Sequence, residues 1–192
     1  PSQSMTMELR FKPTTVPTTL IASSNAWKLE AVTSSYEYGY IRYTADGQTP
    51  ILTSPEAPLF DGNFHTLMVR SSGSVFNINV SNADGGDIVY HASVTGSSIH
   101  SNAWFSASAA NIYLTGSGYI DEFRVWSEYI SDKTFGFHTR YPGLYNGNVY
   151  TSARDNLFVR LSFNKVQNLF SGSASSSLPN ESPYVRGFDS SS

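Results

Sequence analysis

The stretch that decides the fold lies near the start of the chain and reads Met5-Thr6-Met7-Glu8-Leu9-Arg10-Phe11-Lys12, with apolar and polar side chains in strict alternation. Successive side chains of a β-strand point to opposite faces, so this stretch predicts a strand with one buried face. Pro13 follows directly and cannot donate to a β-ladder, which ends the strand. The chain therefore begins with a half-buried strand of a layered β-protein.

Similar short stretches follow along the chain, separated by turn signals about every eight to twelve residues. They lie at Thr19–Ala22, Trp27–Val32, Tyr36–Tyr43, Phe64–Arg70, Val75–Val80, Ile88–His91, Asn111–Leu114, Tyr119–Trp126 and Asn156–Phe163. This spacing predicts an all-β fold, an antiparallel β-sandwich of the jelly-roll type. A single helical turn is predicted near Ser131 to His138, with Ser131 as its N-cap.

The composition excludes several classes of protein. The 192 residues include no cysteine, so disulfides and thiolate metal sites are absent. The net charge is −3 and charged residues make up 14%, so we expect no nucleic-acid partner held by global charge. No apolar stretch reaches the length of about 18 residues that a membrane helix needs, so no membrane insertion is expected.

Changes in composition divide the chain into three predicted parts. The first is a jelly roll over residues 1–142, complete or lacking its first strand, and the second is a connecting segment, 143–170, with one strand. The third, residues 171–192, is rich in serine and predicts a linker or an extended C-terminal arm. Because the chain begins with Pro1 and has no signal sequence, we expect a piece of a longer polypeptide.

Three stretches in a fixed order carry a resemblance to a known family. They are Asp61–Arg70, Val75–Val80 and the run Gly118-Tyr119-Ile120-Asp121-Glu122-Phe123-Arg124-Val125-Trp126, which Ile130-Ser131 follows. Together they resemble the laminin-G-like, concanavalin-A-like jelly roll over roughly residues 5–140. Phe64 stands where that family usually has tryptophan. The resemblance implies a β-sandwich whose relatives include lectins, glucanases and calcium-binding modules.

A narrower resemblance covers the stretch after the last of these strands. Its residues are Ile130-Ser131, Phe135, His138, Pro142, Tyr145-Asn146-Gly147-Asn148 and Asn156-Leu157-Phe158-Val159-Arg160. This pattern is similar to large virion structural proteins of tailed phages, which embed laminin-G-like modules in tail, neck or baseplate chains. It implies that the chain is one module of a particle component. Leu161-Ser162-Phe163 departs from the residues that follow the arginine in that group.

The sequence predicts no enzyme. Glucanases of this fold carry a Glu-x-Asp-x-Glu strand whose carboxylates lie on one face about 5 Å apart, and this chain has no such motif. Asp121 and Glu122 are adjacent, so strand alternation predicts that their side chains point to opposite faces. We expect one of them to pair locally with Arg124 or to cap a loop.

A calcium site is a candidate, since many relatives hold calcium at one rim of the sandwich. Asn82, Asp84 and Asp87 alternate within a glycine-rich turn, and oxygen ligands on a loop suit that ion. The alternative is a hairpin turn whose Asp and Asn residues only supply turn geometry. The sequence leaves both open, and no other cofactor is predicted.

A glycan site would use an aromatic ring beside amide groups. The candidates are Trp104 and Asn102, in a polar stretch that predicts a loop, and Tyr38 and Tyr40 in a tyrosine-rich strand. The ring would stack on the apolar face of a sugar while the amide bonds its hydroxyls. The alternatives are a protein contact for Trp104 and edge or interface packing for the tyrosine residues, whereas Trp27 and Trp126 are expected to pack in the core.

The two resemblances, together with the missing catalytic motif, imply a non-enzymatic structural and adhesive module on the surface of a tailed-phage virion. Its expected partners are neighbouring virion subunits, including further copies of itself, and a host-surface glycan. The alternative is a carbohydrate-binding lectin module of a secreted bacterial protein. Both alternatives use the same fold, so the sequence does not decide between them.

Overall fold

The computed structural model of the protein describes residues 4–14, 18–23, 27–45, 52–82, 89–95, 112–114, 118–149, 151 and 156–162. Within this part the chain forms β-strands and one helix. The strands are β1 (Met5–Pro13), β2 (Thr18–Ser23), β3 (Trp27–Thr33), β4 (Gly39–Ala45), β5 (Leu52–Thr53), β6 (His65–Ser72), β7 (Val75–Ser81), β8 (Val89–Thr95), β9 (Ile112–Leu114), β10 (Gly118–Trp126) and β11 (Leu157–Ser162). The helix is α1 (Asp132–Arg140), between β10 and β11.

The strands form two antiparallel sheets, which confirms the predicted β-sandwich of the jelly-roll type. One sheet has six strands in the order β11-β10-β1-β6-β7-β8, and the other has five in the order β5-β4-β3-β2-β9. The first strand of the chain thus lies at the centre of the larger sheet, where it pairs with β6 on one side and β10 on the other.

The main core lies between the two sheets and follows from the alternation along β1. Met7, Leu9 and Phe11 are buried there, while the residues between them face the opposite side of the sheet. Burying one such side chain stabilises the fold by about 2 kcal/mol. The other sheet contributes Ile21, Trp27, Leu29, Ala31, Ile41 and Tyr43, and β6, β7 and β10 contribute Leu67, Val69, Phe76, Ile78, Val80, Phe123 and Val125.

A second, smaller core lies on the outer face of the six-stranded sheet, beneath α1. Its members are the fully buried side chains Met68, Trp126, Ile130, Phe135 and Leu157. Phe135 comes from the helix, and Met68, Trp126 and Leu157 come from three strands of that sheet. The outer face is therefore covered by a helix in this region instead of facing water.

The helix begins where the sequence predicts. The Ser131 side chain accepts a hydrogen bond from the Thr134 backbone N–H at 3.2 Å, which is the expected N-cap contact. A helix of 9 residues is too short to be stable alone in water, so its packing on the sheet decides its stability. Arg70 of β6 adds a tether, because it donates to the Ile130 carbonyl at 2.7 Å and pairs with Asp132 at 2.7 Å.

The strand predicted at 156–163 is present as β11, and it pairs with β10 at the edge of the six-stranded sheet. A bulge at Phe158 puts Leu157 in the core beneath the helix, while Val159 and Leu161 pack against the core between the sheets. Strict alternation would have put all three on one face. The predicted serine-rich arm lies outside the described residues. Among those residues, no helix has the length and apolarity that a membrane crossing requires.

Two glycines of the described chain are expected to respond to substitution by alanine in opposite directions. Gly118 has φ +150°, and an added Cβ would collide with the carbonyl oxygen of Lys12, so Gly118→Ala should lower the free energy of unfolding by about 2 kcal/mol. Gly136 lies inside α1 with open space around it, so Gly136→Ala should raise that free energy by up to about 1 kcal/mol. Urea unfolding of both variants measures the two effects, and equal effects would contradict this account of the β1–β10 contact.

Candidate functional site

The outer face of the six-stranded sheet carries the polar side chains of β1, since the apolar ones face the core. Glu8, in the middle of the strand, is fully buried under α1. Its carboxylate accepts hydrogen bonds from His138 Nδ1 at 2.8 and 3.0 Å and from Trp126 Nε1 at 3.1 Å. Arg124 lies next to it, with Nη1 3.5 Å from Oε2. A buried carboxylate therefore joins the first strand, the last long strand and the helix.

His138 connects this carboxylate to the chain that follows the helix. Its Nδ1 faces Glu8 and its Nε2 lies 2.9 Å from the Asn146 carbonyl oxygen. Carboxylate and carbonyl oxygens only accept hydrogen bonds, so both ring nitrogens donate and the imidazole is positively charged. The ring also stacks on Trp126, with the planes 13° apart. His138 is thus a structural cation held between three partners.

Burial alone would raise the pKa of Glu8. The charge of His138 and its hydrogen bond, together with Arg124 and the Trp126 N–H, outweigh that effect and lower the pKa from 4.5 to about 2. A general acid needs the opposite shift, so that it still holds a proton near neutral pH. Glu8 is therefore suited to bind cations and not to donate a proton.

The adjacent acidic residues Asp121 and Glu122 correct a prediction made from the sequence. Strand alternation predicts that the two side chains point to opposite faces. However, a β-bulge leaves Asp121 without a pairing residue on β1, because Arg10 pairs with Glu122 and Phe11 with Ile120. Both acidic side chains therefore lie on the outer face. Asp121 pairs with Arg10, whereas Glu122 binds Arg124 at 3.2 Å. The expected local pairing with Arg124 is confirmed.

Glu122 also accepts a hydrogen bond from Arg160 of β11 at 2.8 Å, so it is held between two guanidinium groups. Arg124 in turn lies between Glu122 and Glu8. The result is a chain of alternating charges across three strands. Each of these carboxylates has a cationic partner. They therefore do not form the carboxyl pair of a glycosidase, in which one carboxyl group keeps a proton and donates it to the substrate.

Residues 141–149, called the strap below, run from the end of α1 back over this network. Arg124 donates to the Pro142 carbonyl oxygen, and the Tyr145 ring lies over the Arg160 guanidinium, with 4.4 Å between its centroid and Cζ. Near the end of the strap, the Asn148 side-chain oxygen accepts a hydrogen bond from the Ser131 N–H at 2.8 Å. The Asn148 side-chain NH₂ group donates to the Tyr129 carbonyl oxygen at 2.7 Å. The strap therefore fixes both ends of the helix.

A shallow recess lies beside the network, between the strap and β1, and its internal space of about 10 Å³ has room for a single water molecule. Its lining consists of Glu8, Leu9, Arg10, Thr66, Glu122, Arg124, His138 and Pro142. Pockets that enclose a whole small-molecule ligand are typically larger, about 300–1,000 Å³. The recess is thus too small for a ligand, and the lining side chains are held mainly by one another.

Of the four ligand candidates from the sequence, Tyr38 and Tyr40 lie in the described residues. Tyr38 is 46% exposed in the turn between β3 and β4, where its carbonyl oxygen accepts from the Ser34 N–H at 2.9 Å. Tyr40 is half-buried on the outer face of the five-stranded sheet, two residues from Arg42. Arg42 pairs there with Glu30 at 3.0 Å. Asn102 and Trp104 lie outside the described residues.

The calcium candidates are divided in the same way. Asn82 follows β7 and is half-buried, whereas Asp84 and Asp87 lie outside the described residues. In the part of the chain that the structure describes, no group of three or more histidine, aspartate or glutamate side chains is arranged to hold a metal ion. The calcium site at this turn stays a prediction.

Reasoning from the sequence missed the network around Glu8 and a group of exposed apolar side chains. The sequence contains a sign of the network around Glu8, because Glu8 and Arg124 are charged residues in the middle of two stretches that predict strands. The exposed group consists of Phe137, Tyr141, Leu144 and Tyr145, at the end of α1 and on the strap, and is called the helix–strap surface below. Three of them are 42–53% exposed and Tyr145 is 38% exposed.

Stability should depend on acidic pH through Glu8. Its pKa is lowered in the folded state, so the stabilisation is fully present above about pH 4.5 and is lost as the pH falls towards 2. A shift of this size corresponds to about 3 kcal/mol. Urea unfolding at a series of pH values should show this loss in the native chain and a flatter dependence in Glu8→Gln.

Glu37→Gln is the matched control, because Glu37 is exposed in the turn before β4. It should keep the pH dependence of the native chain. If Glu8→Gln and Glu37→Gln lose stability in parallel below pH 4.5, then the buried pair with His138 does not cause the effect.

Comparison with known proteins gives a likeness of fold. No protein-family model matches the chain, and no curated protein matches it. Full-length tailspike protein 2 of an Escherichia coli O157:H7 bacteriophage is a similar solved structure, with a TM-score of 0.57 and 15% identity. The match covers 85% of this chain and 24% of the tailspike, so the chain spans about a quarter of that protein's length.

Two further solved structures have lower scores. A heptameric SAP-like pentraxin from Limulus polyphemus has a TM-score of 0.44 and 12% identity, covering 77% of this chain and 72% of the pentraxin. Domains LG4-5 of the mouse laminin α1 chain have a TM-score of 0.38 and 19% identity, covering 64% of this chain and 35% of theirs. What the chain shares with the tailspike at this level of identity is its fold, a β-sandwich of the jelly-roll type.

Proposed function

We propose that this chain is a non-enzymatic structural and adhesive module of a tailed-phage particle, where it contacts the host surface or a neighbouring subunit. The fold is shared with a phage tailspike, and the residues after β10 resemble virion proteins of tailed phages. The observation that carries the proposal is a set of exposed aromatic side chains on a sandwich whose buried carboxylates are paired with arginine and histidine side chains.

The state of the carboxylates supports a binding role over a catalytic one. Glycoside hydrolysis needs one carboxyl group that keeps its proton and a second one that is free to act on the sugar. Glu8 has a lowered pKa, and Glu122 is held by two arginine side chains. Within the described residues, these groups are engaged in holding strands, helix and strap together.

The helix–strap surface is proposed as the contact with a neighbouring subunit, and a second copy of the chain is its expected partner. Phe137 and Tyr141 are 49% and 53% exposed, one helical turn apart, and Leu144 of the strap is 42% exposed. Aromatic side chains are enriched in the cores of protein interfaces, and charged side chains are depleted there. Many copies on one particle would make weak single contacts sufficient.

The glycan contact is proposed for the surfaces that carry Tyr38 and Tyr40, and for Asn102 and Trp104 in the stretch after β8. Tyr40 lies beside the Arg42–Glu30 pair, which offers both donors and acceptors to sugar hydroxyls. Calcium held by Asn82, Asp84 and Asp87 belongs to the same proposal. The division into residues 1–142, 143–170 and 171–192 is kept as the proposed domain organisation.

Particle membership separates this proposal from a secreted lectin module. Mass spectrometry of purified virus particles from the source of this sequence should detect its peptides, and cross-linking should join residues 137–145 to another subunit. Peptides found only in the culture medium, with particles free of them, would overturn the virion assignment and favour the lectin module. Cross-links confined to other faces would move the subunit contact away from the helix–strap surface.

A broad glycan array, probed with the purified chain in calcium and in chelator, tests the predicted sugar contact. Trp104→Ala or Tyr38→Ala should reduce a reproducible signal by roughly tenfold, because an aromatic ring against a sugar contributes about as much as other aromatic contacts. Tyr113→Ala is the control, as Tyr113 is 47% exposed on another strand. Signal lost only in chelator would place calcium in the site, and unchanged binding in these variants would exclude both aromatic residues.

A further inference from the structure

The outer face of the six-stranded sheet stays accessible at the Lys12 end of β1, away from the helix. Lys12 lies opposite Tyr119 in the β1–β10 register, and Phe64 directly precedes β6 on the other side. Tyr119 is 58% exposed, and Lys12 and Phe64 are half-buried. These three side chains, called the Lys12 row below, form a line across neighbouring strands.

The ammonium group of Lys12 lies near both aromatic rings, and the Phe64 ring also carries the Arg10 guanidinium, whose Cζ lies 4.1 Å from its centroid. The Lys12 Nζ lies 5.6 Å from the centroid of Tyr119 and 6.0 Å from that of Phe64. Both distances are within the range of cation–π attraction. A lysine side chain normally loses much rotamer freedom when it binds a ligand, and the rings reduce that loss by holding it in place.

Lys12 differs from the other cations on this face in its electrostatic environment. Arg10 pairs with Asp121, and Arg124 pairs with Glu122 and Glu8. Lys12 makes no ion pair with any residue that the structure describes. Within the described residues Lys12 is thus a cation without an acidic partner, a local feature on a chain whose net charge is −3, and it complements an anion placed on this surface.

We propose that the Lys12 row binds an acidic oligosaccharide, with the carboxylate of one sugar unit on Lys12 and the sugar ring against Tyr119. This goes beyond the proposed adhesive function, because it assigns a separate surface and a ligand class to the chain. The exposed Tyr119 ring supplies the flat apolar contact that a sugar ring needs.

The groups around the row favour a saccharide over other anions. Asp121 is 22% exposed beside Arg10 and can accept hydrogen bonds from hydroxyl groups, which a sugar has in number. The carboxylates near the row are paired with arginine and histidine side chains, so the one cation Lys12 fits a single carboxylate better than the closely spaced charges of a nucleic-acid backbone.

Isothermal titration of the purified chain with trigalacturonate and with a sialic acid trimer tests this proposal. Galactotriose is the neutral counterpart, and an oligonucleotide of thymidine is the polyphosphate control. At least one acidic trimer should bind, more weakly at high salt, and the two control ligands should not. Lys12→Gln and Tyr119→Ala should each weaken that binding by roughly tenfold, the effect of losing one charge-assisted or aromatic contact.

Lys28→Gln is the matched control, since Lys28 is 46% exposed on the other sheet and pairs with Glu30. It should bind as the native chain does, and thermal unfolding should show that all variants keep their fold. No binding of either acidic trimer, equal binding of the oligonucleotide, or binding unchanged in Lys12→Gln would each overturn the proposal. Mass spectrometry of particles tests the virion role separately. If the chain binds an acidic trimer but is absent from particles, the Lys12 site stands and the virion role fails.

Discussion

The buried ion pair between Glu8 and His138 is the interaction on which the outer half of this molecule depends. It joins the first strand to a helix residue 130 positions later, and both side chains are almost fully buried. A charge in such a place must be neutralised and hydrogen-bonded, or it costs several kcal/mol. Trp126, Arg124 and the Asn146 carbonyl meet that requirement, which explains why helix and strap must lie where they do.

This constraint divides the outer face of the six-stranded sheet into two regions. Around Glu8 the face is a dry scaffold, closed by α1 and the strap, and its charges balance one another. At the Lys12 end the same strand enters a region where Tyr119 is exposed and Lys12 and Phe64 are half-buried. A scaffold whose buried charges neutralise one another, beside an accessible end of the sheet, is compatible with the proposed contact role, because surface groups held in place need little reorganisation on binding.

Much of the fold could be predicted because it rests on local rules. Alternation in Met5–Lys12 identified the central strand, Ser131 identified the start of the helix, and the pattern at 156–163 identified β11. The candidate site was harder to predict. Tyr38 and Tyr40 were found as tyrosine residues in a strand-like stretch, but their exposure depends on neighbours that are distant in sequence, as does the accessible position of Tyr119.

The sequence by itself determined that this chain forms an antiparallel sandwich, which residues of β1 face the core, and where its helix begins. Period-two patterning and capping act between near neighbours, so they can be read without coordinates. Only the tertiary structure decided that Asp121 and Glu122 share a face, that Glu8 is buried against His138, and that Lys12 lies near two rings. A bulge, a buried ion pair and a row across strands all depend on register between distant segments, which pairing in the folded sheet sets.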